Sequence, residues 1–433
     1  MKAWMISRRN WLAVITAFAV LVIAWPGAVG MAGGDEDQEG RFLRMTEEPG
    51  RRIALDVAVR EYARSGDEGP DVALVAIAHV GEASLYEKIQ AILDEYDVVL
   101  YESVLPPGAA GPSGETEAER IESTKTSLAL LAGMVELYHE AQQTYPHSLD
   151  DLSAMFSEVD ARLVTWVDST SRDAWGRDVV YRIEHDDETG EVTGYTVYSR
   201  GPANRSPEDA EPQRLKPDEP LDLSGLTDPD GLQAQLAQAL GMEFQLTAMS
   251  YGRPNWRVSD LALDQVEREM QRRGADFDAF AGGLAGTTFA SQVVRVLLRM
   301  VEAADSMMDG AIADAVKVAM IELLSDEAMT SQALDQMGEG FVEVIIDERN
   351  KVAIDDLSGI IDNEPEVERV AIFYGAAHMP DFVNRLVEMG YTREIDSQWI
   401  TAMEVDLENT AVPPRQLQQM RQMIRHSLEQ QFR

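Results

Sequence analysis

Hydrophobic and polar positions follow two different periods along this chain, and the switches between them predict its elements. A helix is expected from Arg51, with Ile53, Val57 and Tyr62 facing inward. After Gly69-Pro70 the apolar run Asp71-Val-Ala-Leu-Val-Ala-Ile-Ala-His79 predicts a strand over 72–78. Leu85, Ile89, Ile92 and Leu93 share one face of a helix over 84–95. Val98-Val99-Leu100-Tyr101 then reads as a second strand, ending at Glu102. A strand–helix–strand unit of about thirty residues predicts a parallel crossover. The pattern breaks in a Pro/Gly-rich stretch, 105–117. A long helix follows over 118–143, with Ile121, Thr124, Leu128, Leu131, Val135 and Tyr138 at helical spacing, stopped by Tyr145-Pro146. Residues 173–200 predict a hairpin of 179–183 against 195–198, with Asp186, Asp187 and Gly190 in its turn.

A Pro/Asp/Glu-rich stretch covers 201–231. Helices are then expected to about 361: 260–273 capped by Ser259, 288–305, 309–324 and 326–358, with Met residues as core filler. The chain closes with strand 368–374, helix 380–389 stopped by Gly390, and strand 391–405. The last element is a tail helix over 415–432. Leu417, Met420, Ile424 and Leu428 form its stripe, and Arg415, Arg421, Arg425 and Arg433 suit docking on an acidic body or self-association, plain packing being the simpler reading. The expected divisions are a signal or anchor at 1–30, a flexible lead-in at 31–50, a main domain in two parts at 51–104 and 231–410, an insert at 118–210, a linker at 211–230, and the tail at 411–433.

Composition narrows the chemistry. With 433 residues, 45% of them hydrophobic, the chain has ample material for a core. The absence of cysteine removes disulfides, thiolate zinc sites, cysteine nucleophiles and lipoprotein attachment. A net charge of -39 opposes nucleic-acid and anionic-lipid partners and attracts cations, divalent metals among them; a saline habitat fits equally. Lys2, Arg8 and Arg9 precede an apolar run from Trp11 to Trp25, followed by Pro26-Gly27 and small residues. That order is an export signal, with Arg8-Arg9 loosely similar to a twin-arginine leader. An uncleaved anchor over 10–30 stays open, since a span needs ~20 residues. The expected location is periplasmic or extracellular.

Two histidines are the sharpest candidates. His79 and Val370-Ala-Ile-Phe-Tyr-Gly-Ala-Ala-His378 show the same order of strand, small residues, histidine. Small residues let the backbone turn and leave an imidazole at a strand end, where sites are built. Glu102 ends a strand expected beside that of His79, ~4.8 Å away. Two imidazoles and a carboxylate form a common shell for a divalent metal with an open position for water. Two further clusters, the loop with Asn255, Arg257 and Asp260 and the helical run Asp347-Glu348-Arg349-Asn350, offer arginine donors for a carboxylate or oxyanion. Each has a plain alternative as a capping loop or a solvated face. His139, His147, His185 and His426 have ordinary positions, and no phosphate loop, dinucleotide fingerprint or nucleophile elbow occurs.

The segments 72–103 and 241–406 resemble the TraB/Tiki superfamily, more distantly the erythromycin-esterase fold. Its opening G-x-x-H, helix, strand, Glu is matched by Ala76-Ile-Ala-His79 through Glu102, with Ala76 in place of the first glycine. Its closing G-x-x-H is matched by Gly375-Ala-Ala-His378. Asn255-Trp-Arg257 with Asp260, and Glu348-Arg349-Asn350, are similar to its intermediate polar stretches. The resemblance implies an α+β fold, a mixed sheet surrounded by helices. It makes His79, Glu102 and His378 site and metal residues, with Arg349 catalytic beside them and Asn255, Arg257, Asp260 and Asn350 in support. The insert resembles the C-terminal part of a type II secretion major pseudopilin. Tyr145-Pro146, Asp173-Ala-Trp-Gly176 and Tyr195-Thr-Val-Tyr-Ser-Arg-Gly201 carry that likeness, with Ala174 where the family has proline and without the polymerising N-terminal helix. Pseudopilins can bind calcium in the loop after the last strand; the loop here has Ser199, Asn204, Glu208 and Asp209, which do not follow the family's ligand pattern. The expectation is a hydrolase, a peptidase using manganese, cobalt or zinc on a peptide or protein substrate. The alternatives are a binding protein that sequesters a peptide or small ligand, with the insert docking an envelope partner, and a metal-free hydrolase with His79 as base oriented by Glu102.

Overall fold

The computed structural model describes residues 41–64, 69–103, 105–159, 161–186, 188–190, 192–202, 215–221, 223, 232–277, 311–325, 339–413, 415, 417–419 and 421–422. The fold is mixed α/β, a mixed sheet with helices around it. Two compact units divide the chain: Met1–Glu102, Pro229–Ser250 and Met270–Arg433 form the first, Ser103–Asp228 and Tyr251–Glu269 the second.

The first unit opens with strands β1 (Leu43–Glu48), β2 (Arg52–Arg64), β3 (Asp71–Ile77) and the short β4 (Val80–Gly81), then helix α1 (Ala83–Leu93) and strand β5 (Val98–Tyr101). The second unit supplies α2 (Glu117–Gln142), α3 (Leu149–Val159), α4 (Ala161–Thr170), β6 (Val180–His185) and β7 (Val192–Tyr198). The chain returns to the first unit for α5 (Leu232–Ala239), β8 (Glu243–Phe244) and α6 (Gln245–Ala248). Strand β9 (Trp256–Val258) belongs to the second, and α7 (Leu263–Arg273) leads back. The first unit then finishes with α8 (Ala311–Leu324), α9 (Glu339–Val342), a π-helical turn (Glu343–Glu348), α10 (Arg349–Asn363), β10 (Arg369–Gly375), a 3-10 turn (Ala376–His378), α11 (Met379–Glu388) and β11 (Tyr391–Asp406).

Two expectations near the start are corrected. The segment from Arg51 is strand β2, not a helix. Ile53 and Val57 satisfy a four-residue spacing and a two-residue alternation equally; Leu55 and Val59 between them decide for the strand. Its polar residues are buried with partners: Asp56 accepts hydrogen bonds from Arg44, Thr46 and Thr401, and Arg60 pairs with Glu394. Part of the expected lead-in is strand β1, held by backbone pairing from Leu43 opposite Val57 to Glu48 opposite Arg52. The helix expected from 260 begins at Leu263, because Leu105 takes up Leu261 and Leu263 in backbone hydrogen bonds. The long helix expected over 326–358 is described from 339 and contains a π-helical turn; 288–305 lies outside the described residues.

β2 is the hub of the sheet. β1 pairs with its first half, β3 with its second, and β11 along its whole opposite edge, all antiparallel. Beyond β3 the sheet becomes parallel, with β10 between β3 and β5: Val370 lies opposite both Val72 and Val98. The expectation that the strands of His79 and Glu102 are neighbours is therefore corrected. A helix about 10 Å across covers two strand spacings of ~4.8 Å, so the α1 crossover leaves room for β10.

One core of this unit joins Ile53 and Leu55 of β2, Met403 and Val405 of β11, and the apolar face of α8, with Val412 and Leu417 closing it. The start of the tail thus packs on the body, and Arg421 pairs with Glu47 and Glu322. The rest of the tail stripe, Met420, Ile424 and Leu428, lies outside the described residues or carries no described side chain.

In the second unit, α2 starts with a capping box between Thr116 and Glu119 and ends at Gln143 in the left-handed conformation, just before Tyr145-Pro146. Leu128, Leu131, Val135, Phe156, Val167 and Val197 form its core. Buried Asp173 ties the Asp173–Gly176 turn to β7: its carboxylate accepts from the amides of Trp175 and Arg177 and from the Ser199 hydroxyl. Among the described residues no helix is long and apolar enough to cross a membrane; residues 10–30 lie outside them.

Gly81, two residues after His79, sits where a side chain has no room. A Cβ there would lie 2.8 Å from the Ala402 carbonyl oxygen and 2.8 Å from Leu85. Gly81→Ala is expected to lower stability by about 1–3 kcal/mol, the usual range for overpacking, measured by urea unfolding. An unchanged midpoint would show that this turn yields freely.

Candidate active site

Three parallel strands end side by side, and each delivers a candidate at its C-terminal end. His79 follows β3, Glu102 follows β5, and His378 follows β10 through the 3-10 turn. The carboxyl edge of parallel strands is where side chains from different strands converge on a ligand crevice. Glu102 is fixed from two sides: the Glu102 amide donates to Phe373 O, and Oε2 accepts the Gly375 amide at 2.7 Å. Both bonds go to β10, so the carboxylate stays at the strand end.

The second oxygen, Oε1, faces charge. Arg349 Nη2 donates to it at 2.7 Å, and His378 Nε2 lies 3.6 Å away. Arg349 is 1% exposed and the Glu102 side chain 9%, so this is a buried ion pair. Burial pushes the Glu102 carboxyl up, but Arg349, then His378, and also His79 outweigh it and hold the group well below the ordinary glutamate value.

Each imidazole is aimed by an amide side chain. His79 Nδ1 lies 2.6 Å from Gln245 Oε1, and the His79 carbonyl accepts the Gln245 amide at 2.9 Å. His378 Nδ1 lies 2.6 Å from Asn350 Oδ1. An amide oxygen accepts, so where the Asn350 and Gln245 oxygens face the rings the matching form is Nδ1–H, with Nε2 as the basic nitrogen. His79 is half-buried; His378 is fully buried between Tyr374 and Phe382, with Nε2 making no hydrogen bond.

Arg349 and Asn350 are consecutive, both buried, and both serve the site. The π-helical turn before them helps explain the placement, since such turns re-phase a helix and recur at functional sites. Glu343 and Glu348, five apart, come to one side of the turn, where Arg273 pairs with both, at 3.1 and 2.5 Å.

The structure thus joins Glu102, His378, Arg349 and Asn350 by direct contacts, with His79 at the end of the neighbouring strand β3, where its charge is felt at Glu102. Asn255, Arg257 and Asp260 belong to the second unit. There Asp260 is buried and accepts from the amides of Ser103 and Leu261. Of the residues named for calcium, Ser199 is taken by Asp173, and Asn204, Glu208 and Asp209 lie outside the described residues. Gln245 and Asp381, which bonds Asn350, are the residues sequence reasoning missed. Gln245 carries no local signal; Asp381 stands three residues after His378, a helical spacing that marks it.

Among the described residues no three His, Asp or Glu side chains are assembled as a ready metal cage. The donor chemistry suits a divalent ion all the same. An imidazole whose Nδ1 faces an oxygen presents Nε2 away from it, the arrangement in which histidine binds metal. The His378 Nε2 is buried without a hydrogen bond, and each Glu102 oxygen retains a second lone pair beside the one in use. Comparison with family models, with curated proteins and with solved structures returns no match.

Two outcomes follow from the buried pair. Arg349→Met, which leaves Glu102 charged and unpaired, is expected to destabilise by about 3–5 kcal/mol, while the double variant Glu102→Gln/Arg349→Met recovers most of that loss. Urea unfolding of the single and double variants checks this; equal losses in both would remove the ion pair from the account. The depressed Glu102 value means that its stabilisation is fully present above the ordinary glutamate range and is lost as pH falls through the folded value. Wild type should therefore lose stability on acidification more steeply than Glu102→Gln, seen as urea midpoints against pH, whereas parallel curves would contradict the assignment.

Proposed function

We propose that this protein is an exported hydrolase of the TraB/Tiki kind that cleaves peptide bonds, with a pseudopilin-like module inserted after its first βαβ unit. The observation that carries the reading is the shared aim of the two imidazoles. Both are tied at Nδ1, and both bring their influence to one carboxylate beside a permanent cation. A structural ion pair needs neither imidazole fixed in that form. The order of strand, His, helix, strand, Glu and the late strand with His, now on adjoining parallel strands, supports the family resemblance.

His79 is the half-buried imidazole, with its Nε2 turned inward, and in this reading that atom holds the attacking water. Its Nε2 takes a proton from a water as the water oxygen attacks the carbonyl carbon. Glu102 stabilises the imidazolium that forms, as a buried carboxylate does in other hydrolase triads. Arg349 sets a positive field for the charge that develops on the carbonyl oxygen. When the C–N bond breaks, His79 returns the proton to the leaving nitrogen. A manganese, cobalt or zinc ion held by His79, Glu102 and His378 would supply a lowered water pKa and a polarised carbonyl. In the second unit, the contact of Asp173 with Trp175, Arg177 and Ser199 joins the stretches that carry the pseudopilin likeness, and in this reading the module docks an envelope partner. The N-terminal signal or anchor places the activity outside the cytoplasm in this reading.

The test is turnover of a peptide library by the exported fragment, with and without chelator, beside its metal content. His79→Ala and Glu102→Gln are expected to lose about a hundredfold or more in kcat/KM. About one metal per chain, lost in His79→Ala and His378→Ala, assigns a metallopeptidase. Turnover that survives chelation with no metal assigns His79 as the base alone. Peptide bound without turnover contradicts the hydrolase and leaves a binding protein.

A further inference from the structure

Beyond Asn350 the hydrogen bonds continue to a carboxylate that no part of the mechanism above uses. Asn350 Nδ2 donates to Asp381 Oδ2 at 2.8 Å and to the His378 carbonyl at 3.0 Å. Asp381 lies in the first turn of α11, three residues after His378. Its Oδ2 also accepts Arg385 Nε at 2.5 Å, and Arg385 Nη2 reaches the Asp347 carbonyl at 3.2 Å. The carboxylate is therefore itself held in place.

We propose that Asp381 is a positioning residue of the site, which orients the Asn350 amide and thereby commits His378 to the Nδ1–H form. An amide side chain fits its pocket in two ways, related by exchange of O and N. With Nδ2 engaged by two acceptors, only Oδ1 is left to face His378 Nδ1, at 2.6 Å. Two lone pairs opposed at that distance repel, so Nδ1 carries the proton and Nε2 is basic. Glu102 pulls the other way. Its Oε1 stands 3.6 Å from Nε2, and the Nε2–H form would gain a hydrogen bond to a carboxylate. Asp381 opposes that pull from the far side of Asn350. Without it the amide is anchored only by the His378 carbonyl, can turn, and presents an N–H to Nδ1. The proton then moves to Nε2, where the ring can neither take a proton nor hold a cation. At His79 the group that meets Nδ1 is the neutral amide of Gln245.

The consequence for turnover rests on the hydrolase reading; the tautomer does not. The experiment is two-bond proton–nitrogen NMR on the full chain labelled with 15N-histidine, in wild type, Asp381→Leu and Asp381→Asn. Wild type is expected to show His378 as Nδ1–H. Asp381→Leu is expected to move His378 to Nε2–H, with His79, His139, His147 and His185 unchanged. Asp381→Asn, which keeps an acceptor oxygen, is expected to retain the wild-type form. Should Asp381→Leu fail to fold, Asp381→Ala carries the same expectation at this partly exposed position. His378 remaining Nδ1–H in the leucine or alanine variant overturns the proposal. With turnover established, the leucine variant should lose about ten- to a hundredfold in kcat at little change in KM, the range for residues that support a site from behind. Absent turnover in wild type would defeat the hydrolase reading alone, while an unchanged His378 tautomer would defeat this one alone.

Discussion

The Glu102–Arg349 pair organises the first unit around its site. A buried carboxylate is tolerated only with compensation, and here it has a guanidinium on one oxygen and a backbone amide on the other. The amide belongs to the last residue of β10 and the guanidinium to the first residue of α10, so one side chain fastens a strand end to a helix start. Both histidines then feel a fixed negative charge whose position the sheet determines.

From that pair outward, each element serves to hold an orientation. β10, inserted between β3 and β5, brings the late histidine between the two early candidates and supplies the Gly375 amide. The π-helical turn delivers Arg349 and Asn350 together, one to the carboxylate and one to the imidazole. Arg273 bridges the two glutamates of that turn, so the end of α7 also bears on the site's geometry. Polar groups at the centre are met by partners drawn from five segments far apart in sequence: 79, 102, 245, 349–350 and 378.

Much of this was legible in the sequence, for reasons that can be stated. His79, Glu102 and His378 stood out because small residues and strand ends frame them, and that local signal survives without any knowledge of pairing. The long helix α2 and the hairpin β6–β7 were bounded by Tyr145-Pro146 and Gly190, punctuation that acts locally. Strand β2 was not legible, because Ile53 and Val57 fit two periods and its polar residues, Asp56 and Arg60, are buried where a strand usually turns them outward. The place of β10 was hidden because strand order depends on packing among segments far apart in sequence, Val370 against Val72 and Val98, which no local pattern records. Gln245 was invisible for the same reason: its meaning comes wholly from the imidazole it faces. The start of α7 was misjudged because a backbone bridge to Leu105, not a side-chain cap, sets it.

The central claim is that one carboxylate faces both imidazoles. It is tested most directly by recording imidazole nitrogen shifts in wild type and Glu102→Gln with 15N-labelled histidine. Removal of the charge should move the Nε2 signals of both His79 and His378 and leave His139, His147 and His185, all in the second unit, where they were. A shift at His378 alone, with His79 unmoved, would show that the two histidines do not share a centre.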